Sequence, residues 1–596
     1  MAKRTVFPVF LPNKGIVLDK PEEFLLQQFS PYSRNMEYYN ELLQGRLGLT
    51  KFDLAQLNGR VMNLTEFNKF AGTYFLIACT EINLYSYDFS NTRWDILNRQ
   101  YTTGTITVSA GSLTTVTGSG TTWSTNLAAG DYIKIGSGSV HTGSTWYKIL
   151  SVDSNTQLTL TSAAATCSGS AYVATKSFTG GTSAYWSTAF FVDDTLGEVI
   201  IFTNGTDTPV RWTGSGTVAI LTGLATGFTA AKYVDVYKNR VIFLWTQEGG
   251  QNQPQRERWS AVANCNSWTD TDFRDFMDED TWITGTAKLA GYHVVFKDEE
   301  AYVGRFVGGD EVFDYDRSTS CVGTEAPFSI VQTKDSLYYY GYDGKFHRWN
   351  LLRDEIISEA IFPDTVNFDP NGEQFIFGGH IRGKNQIRWH SPYSSTDYNN
   401  YEVVFDYKNG LLQVWQYQAS QACCSIGEYL LQTDKYVDDP VWGEYYVDEQ
   451  EGYWDDRNFL ANAPLPLYGG YDGYVRSADV GITDDGTSYT RTFKTVRMNF
   501  GMPHQDKRLQ KQEIWLIAET AGSVTVAMTK GDNLSAEALT HTVSLVHASK
   551  DKIKTMIRWD KEDRDFQMTI SGTVHFSLLG FLNVIYAKKE AMDKVA

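Results

Sequence analysis

Proline is scarce in this chain, 14 in 596 residues, and cysteine is scarcer, at six. The cysteines at 79, 167, 265, 321, 423 and 424 show no spaced pair. Only Cys423 and Cys424 are close, and adjacent thiols cannot wrap one tetrahedral metal without distant partners. A disulfide framework is therefore excluded as the organising principle. Buried free thiols and folding in a reducing cytoplasm are the expectation. Basic charge is also in deficit: 52 Lys and Arg face 70 Asp and Glu, a formal charge of −18. That balance argues against a protein gripping nucleic acid through phosphate contacts, although an acidic protein can still surround DNA. No run approaches the roughly 20 apolar residues that span a bilayer. The start, Met1-Ala2-Lys3-Arg4, runs into polar text without a signal-like apolar core, so we expect a soluble chain not exported by that route.

Catalytic patterns are lacking too. Nucleophile elbows, His-Glu-x-x-His helices, phosphate-cradling glycine loops and dinucleotide fingerprints do not occur in the required context. The nine histidines are scattered. His347 beside Trp349 and His390 beside Trp389 read as ordinary strand residues. The densest acidic cluster is Asp270, Asp272, Asp275, Asp278, Glu279 and Asp280, after Trp268. Paired carboxylates could hydrolyse a glycosidic bond and several could chelate calcium. The EF-hand order is missing, however, and Asp343-Gly344 and Asp472-Gly473 lack the spacing residue of a sialidase Asp box. A solvated loop or blade corner is the favoured reading. We assign no catalytic, cofactor-binding or metal-ligating residue, and expect no cofactor and no enzymatic activity.

What the chain has in abundance is aromatics and glycine, 35 Tyr, 33 Phe and 50 Gly, the composition of strands and tight turns. Six apolar runs turn at an Asn/Asp-Gly or acidic corner: Tyr85–Asp88, Phe202–Gly205, Val295–Glu299, Tyr340–Phe346, Phe405–Gly410 and Gly469–Gly473. Asn-Gly and Asp-Gly supply the positive φ of a type I′ turn, so each run reads as a hairpin tip. Asp298 to Gly344 is 46 residues, Gly344 to Gly410 is 66 and Gly410 to Gly473 is 63. A four-stranded propeller blade takes about 40 to 50 residues, so these gaps fit blades with insertions. A pair of stacked sandwiches with similar turns is the competing arrangement.

The fold class we expect is all-β, a distorted β-propeller core with an inserted small β-barrel domain and a C-terminal β-sandwich. Residues 1–60 read as an irregular docking segment. It holds one helix around Pro31 to Leu43, with Met36, Tyr39, Leu42 and Leu43 on one side. Residues 61–103 and 177–480 read as the propeller-like body. In 104–176 Thr, Ser, Gly and Ala dominate and charges almost vanish, with strict alternation in Thr105–Val108 and Gln157–Leu160. That stretch reads as an inserted small β-domain, either a packing or adhesive surface or a decoration. Residues 481–596 read as a closing sandwich with a charged, frayed end from Ala587 to Ala596.

Several phrases in the body are familiar. Pro209-Val210-Arg211-Trp212 follows Asn204-Gly205-Thr206-Asp207, Arg258-Trp259-Ser260 precedes Trp268 and the acidic stretch, and Ile387-Arg388-Trp389 leads to Val404–Gly410. With Leu289–Lys297 and Cys321–Pro327, over roughly residues 190–480, the chain resembles tail hub or nozzle proteins of short-tailed bacteriophages. The 104–176 stretch resembles a compact β-barrel module recurrent in phage virion proteins. The hub resemblance implies a structural virion protein in the tail, assembled in the host cytoplasm. It further implies a homohexamer around a conduit for genome ejection that double-stranded DNA passes without sequence-specific binding. Implied partners are a head-to-tail adaptor or portal ring, tail fibres or spikes, and the host cell surface. A wall bearing more acidic than basic groups would let DNA pass without stalling. The readings kept beside this one are a tailspike-like polysaccharide depolymerase and a receptor-binding fibre with Tyr/Trp sugar platforms.

Overall fold

The structure is a computed structural model. It describes residues 4–587 except 10–13, 40–41, 137–144, 182–184, 278–279, 310, 395–397, 431–463, 502–503, 519–520, 531–538 and 546–551.

Seven four-stranded antiparallel sheets follow one another along the chain, and each is a propeller blade. Their innermost strands are Val61–Asn68, Ser187–Asp193, Phe228–Tyr237, Ile283–Leu289, Val331–Gln332, Phe377–Ile381 and Cys423–Leu430. Each packs against the next and the seventh packs against the first, so the ring is closed. The closure uses a distant piece of chain. The fourth strand of blade 7 is Leu49–Lys51, paired with Val475–Ala478 in the register Lys51↔Arg476 and Leu49↔Ala478. Covering an open edge in this way removes a row of unpaired backbone groups that would otherwise recruit another chain.

Close approach of inner strands accounts for glycine at two positions. A Cβ on Gly379 would lie 2.3 Å from the Ile426 side chain, and one on Gly427 would lie 2.8 Å from that of Leu64. Between neighbouring blades the apolar face of each sheet meets the next. Phe228, Phe243 and Trp268 pack with Phe191 and Val199 in one seam, and Leu337, Tyr339 and Trp349 pack with Val294 and Phe296 in another. Several buried indoles donate to backbone carbonyls, as in Trp389 Nε1 to Ser329 O at 2.8 Å, so these rings are sequestered without an unmet donor.

The six corner sequences are hairpin tips in these sheets. Their loops hold three to six residues, longer than the two-residue type I′ turn expected, with Gly205, Gly344, Gly410 and Gly473 at φ between +68° and +78° or +80°. The spacing also has a different origin from the one expected. Asp298 and Gly344 both join the second and third strands of consecutive blades, whereas Gly410 joins the third and fourth strands of blade 6. The 66- and 63-residue gaps therefore compare unlike corners.

Blade 1 connects to blade 2 through an eight-stranded insertion, from Gln100–Tyr101 to Tyr172–Thr175. Its strands form an open path rather than the closed barrel expected, with Tyr147–Ser154 bridging two sheets. It has its own core around Trp123, Ile133, Ile149, Leu158 and Tyr172. Its ends meet, since Gln100 pairs with Thr175 and Lys176 N donates to Arg99 O at 3.0 Å.

The sandwich is built from both ends of the chain. Arg4–Val9 and Leu42–Gly45 pair with Phe576–Ala587 in one sheet, while Tyr32–Arg34 pairs with Arg491–Lys494 in the other. Leu509, Ile514, Val526, Met528, Phe566 and Ile570 fill the space between. The helix expected around Pro31 to Leu43 is absent: the segment holds the strands Tyr32–Arg34, Met36–Tyr39 and Leu42–Gly45. Pairing with the far end of the chain overrides a spacing that also suits a helix. The expected frayed end, from 588 on, lies outside the described residues.

Candidate functional site

Ring closure leaves a line of cavities along the propeller axis, because the pleated inner strands cannot all meet at one line. The middle cavity, ≈ 360 Å³, is lined by Trp186, Tyr233, Asp235, Thr286, Lys288 and Phe377. At the mouth formed by the loops between first and second strands a wider one, ≈ 730 Å³, takes in Glu66, Phe190, Lys334, His380, Arg382 and Glu428. The opposite mouth holds a third, ≈ 300 Å³. The insertion leaves from the face of this third cavity. The sandwich packs beside the outer strand of blade 6, Leu411–Gln416, where Trp415 Nε1 donates to Met36 O, and it reaches both ends of that blade: Lys384 Nζ meets Glu37 Oε1 at 2.8 Å at one, and Arg34 Nη2 meets Asp364 Oδ2 at 2.6 Å in the connector at the other.

Two ion pairs lie in the axis. Asp235 Oδ1 lies 2.8 Å from Lys288 Nζ, and Glu428 Oε2 accepts from Arg382 Nε at 2.8 Å. Burial nonetheless raises the Glu428 carboxyl above its ordinary value, against the pull of Arg382. Behind Asp235 a chain of side chains crosses the seam between blades 3 and 4. Thr286 Oγ1 is 3.3 Å from Asp235 Oδ2 and 2.8 Å from His293 Nε2. His293 Nδ1 is 2.7 Å from the Tyr315 hydroxyl, which is 2.7 Å from Glu257 Oε1. Burial pushes Glu257 up to about 8 and His293 down to about 4. Near neutral pH the chain thus joins a protonated carboxyl to a neutral imidazole. Proton sharing across the seam and rigid docking of the blades are both within its chemistry.

None of these residues was singled out from the sequence. The available signal is a charged or imidazole group within apolar strand text, as in Tyr233-Val234-Asp235-Val236 and Tyr292-His293-Val294-Val295. The acidic stretch that was singled out does not converge. Asp270 binds Thr226 N at 2.7 Å, Asp275 holds Arg256 Nη2 at 2.7 Å, and Asp280 is exposed. Asp278 and Glu279 lie outside the described residues. His347 sits between two carboxylates, 2.8 Å from Asp343 and 2.7 Å from Asp354, which raise it to about 9. His390 is buried with neither ring nitrogen hydrogen-bonded, and burial beside Arg388 lowers it to about 3. Cys79, Cys265, Cys423 and Cys424 are buried free thiols, and Cys167 and Cys321 are partly covered.

No family model matches the chain, and no curated protein matches it. Among solved structures it is similar to an exo-β-1,3-galactanase from Phanerochaete chrysosporium at 8% identity, covering 67% of this chain and 95% of that one, TM-score 0.22. It is similar to a phage phi92 endosialidase at 12% identity, covering 57% and 64%, TM-score 0.21. A third similar structure is a glycoside hydrolase family 43 arabinoxylan arabinofuranohydrolase from Bacillus subtilis, at 10% identity, covering 89% and 96%, TM-score 0.23. One expectation is corrected by this finding. The chain is expected not to be an enzyme because catalytic motifs are lacking, yet the three similar structures named above are glycoside hydrolases and an endosialidase, so that expectation is withdrawn. Likeness at these TM-scores carries none of their activities to this chain.

Proposed function

We propose that the chain is one subunit of the tail hub or nozzle of a short-tailed bacteriophage. Six copies surround a channel for DNA exit, below an adaptor or portal ring, and carry fibres or spikes at the side. The observation that supports this reading is the placement of modules. A closed propeller carries a sandwich woven from both chain ends beside the outer strand of blade 6 and an insertion with its own core between blades 1 and 2. Two separate modules attached at different blades suit a connector between a ring and a fibre. In this reading the DNA channel belongs to the assembled ring, since the axial cavities of a single chain, ≈ 300 to ≈ 730 Å³, are the size of small-molecule sites. The net charge of −18 suits a wall that double-stranded DNA slides past. Native mass spectrometry of the purified protein tests the stoichiometry. Six copies of 67.2 kDa support the reading, and a discrete trimer opposes it.

The wide axial mouth favours a second reading, a tailspike-like polysaccharide depolymerase. Glu66 and Glu428 share its wall with Phe190 and His380, and burial raises Glu428 as a general acid requires. Release of oligosaccharides from host surface glycans, lost in Glu428→Gln, is the result that selects it. Absence of release across capsular and lipopolysaccharide substrates rejects it.

A further inference from the structure

The third axial cavity, ≈ 300 Å³, opens on the face from which the insertion leaves and brings five separate stretches of chain together, Tyr185 lying at its floor. Arg60 comes from the connector entering blade 1, Asp369 and Asn371 from the connector entering blade 6, and Tyr398 and Tyr471 from hairpin loops of blades 6 and 7. The two tyrosine rings meet edge to face at 5.0 Å and 87°, which leaves an aromatic surface in the cup. Tyr398 is 37% exposed.

Polar groups surround this surface in a fixed arrangement. Asn399 N donates to the Tyr471 hydroxyl at 3.2 Å and Asn399 Nδ2 donates to Phe375 O at 2.7 Å, so the hydroxyl is held as an acceptor and its own proton is directed elsewhere. Asp369 Oδ1 takes the Asn371 backbone N–H at 3.0 Å, which orients the carboxylate. Arg60 pairs through Nε with Glu81 at 3.4 Å and lies 5.3 Å from the centre of the Tyr471 ring.

The mixture selects a ligand class. An apolar ligand would strip water from the remaining acceptor positions of the Asp369 carboxylate and the remaining donors of the Arg60 guanidinium without replacing it, at a desolvation cost. An anion would meet one cation already balanced by Glu81 beside a second carboxylate, so the cup offers it no excess of positive charge. A neutral pyranose matches both halves: one face of C–H groups for a tyrosine ring, and a rim of hydroxyls that donate to Asp369 and accept from Arg60 and Tyr471. The volume lies at the lower end of the roughly 300–1,000 Å³ of small-molecule sites, room for a sugar unit rather than a long chain. We infer that this mouth of the propeller axis is a binding site for a neutral pyranose unit of a glycan.

The inference is independent of hexamer formation and of any hydrolysis at the opposite mouth. Its test is saturation-transfer NMR on the full chain with the methyl pyranosides of glucose, galactose, mannose and N-acetylglucosamine at millimolar concentration. Saturation of the ring protons of at least one sugar, reduced at least five-fold in Tyr398→Ala and kept in Tyr398→Phe, is the expected result. Asp369→Asn, judged folded by its unchanged melting temperature, should weaken the same signal. No transfer to any of the four sugars, or transfer that Tyr398→Ala leaves intact, overturns the inference.

Discussion

At the scale of single residues, His347 shows how a buried polar group is made structural. Both ring nitrogens face carboxylates, so both must carry protons and the imidazole is held as a cation. Its folded value of about 9 lies above the ordinary 6.5, so its stabilisation is fully present below about pH 6.5 and is lost as pH rises through about 9. We expect His347→Gln to lower stability by on the order of 2–3 kcal/mol at pH 6 and by much less at pH 10. Denaturant midpoints of the two proteins at both pH values check this. Glu257 behaves differently. Its carboxyl is raised to about 8, so its contribution is present below about pH 4.5 and declines as pH rises through about 8. Glu257→Gln should keep the neutral hydrogen-bonding form and flatten that decline, whereas Glu257→Ala should cost about 1–3 kcal/mol by stranding Tyr315. Thermal melts between pH 4 and 9 separate the two variants. The sequence presents His347 and Glu257 as charged or polar letters in strands. The carboxylates that set His347 stand four and seven residues away, within a local window, whereas Glu257 is set by its burial and by Tyr315 on the other side of a seam, which no local window contains.

At the scale of elements, corner chemistry is local and was legible. Asn204-Gly205, Asp343-Gly344, Asn409-Gly410 and Asp472-Gly473 mark hairpins because the positive φ they need is met within two residues. Pairing between remote segments was not legible. Leu49–Lys51 joins Val475–Ala478 across more than four hundred residues, and Met36, Tyr39, Leu42 and Leu43 fit helical spacing until the far end of the chain supplies a sheet. Inner-strand glycines belong to this scale too. Gly379→Ala should destabilise the contact between blades 6 and 7 by about 1–3 kcal/mol, since the added carbon must displace Ile426. A shift in denaturant midpoint of that size checks it, and an unchanged midpoint contradicts the close-packed ring.

At the scale of the whole molecule, the chain is a propeller with two further modules, and the modules differ in how they are attached. The insertion begins and ends at neighbouring points, Arg99 and Lys176, and encloses its own core. Replacing 101–174 by a short Gly/Ser linker should therefore leave the propeller folded, with a melting transition lowered by the loss of Val173 and Trp146 from the core of blades 1 and 7. The sandwich cannot be removed so simply, because the strand that closes blade 7 runs between its N-terminal strands and blade 1. Blade number and ring closure emerge only at this scale. The partners of the two outer modules define the proposed role, and the arrangement of copies reports on it. Electron microscopy of the purified, concentrated protein measures that arrangement directly. The account predicts a six-fold ring with an axial hole, the propellers forming its wall. An elongated three-fold particle without a central hole would contradict it.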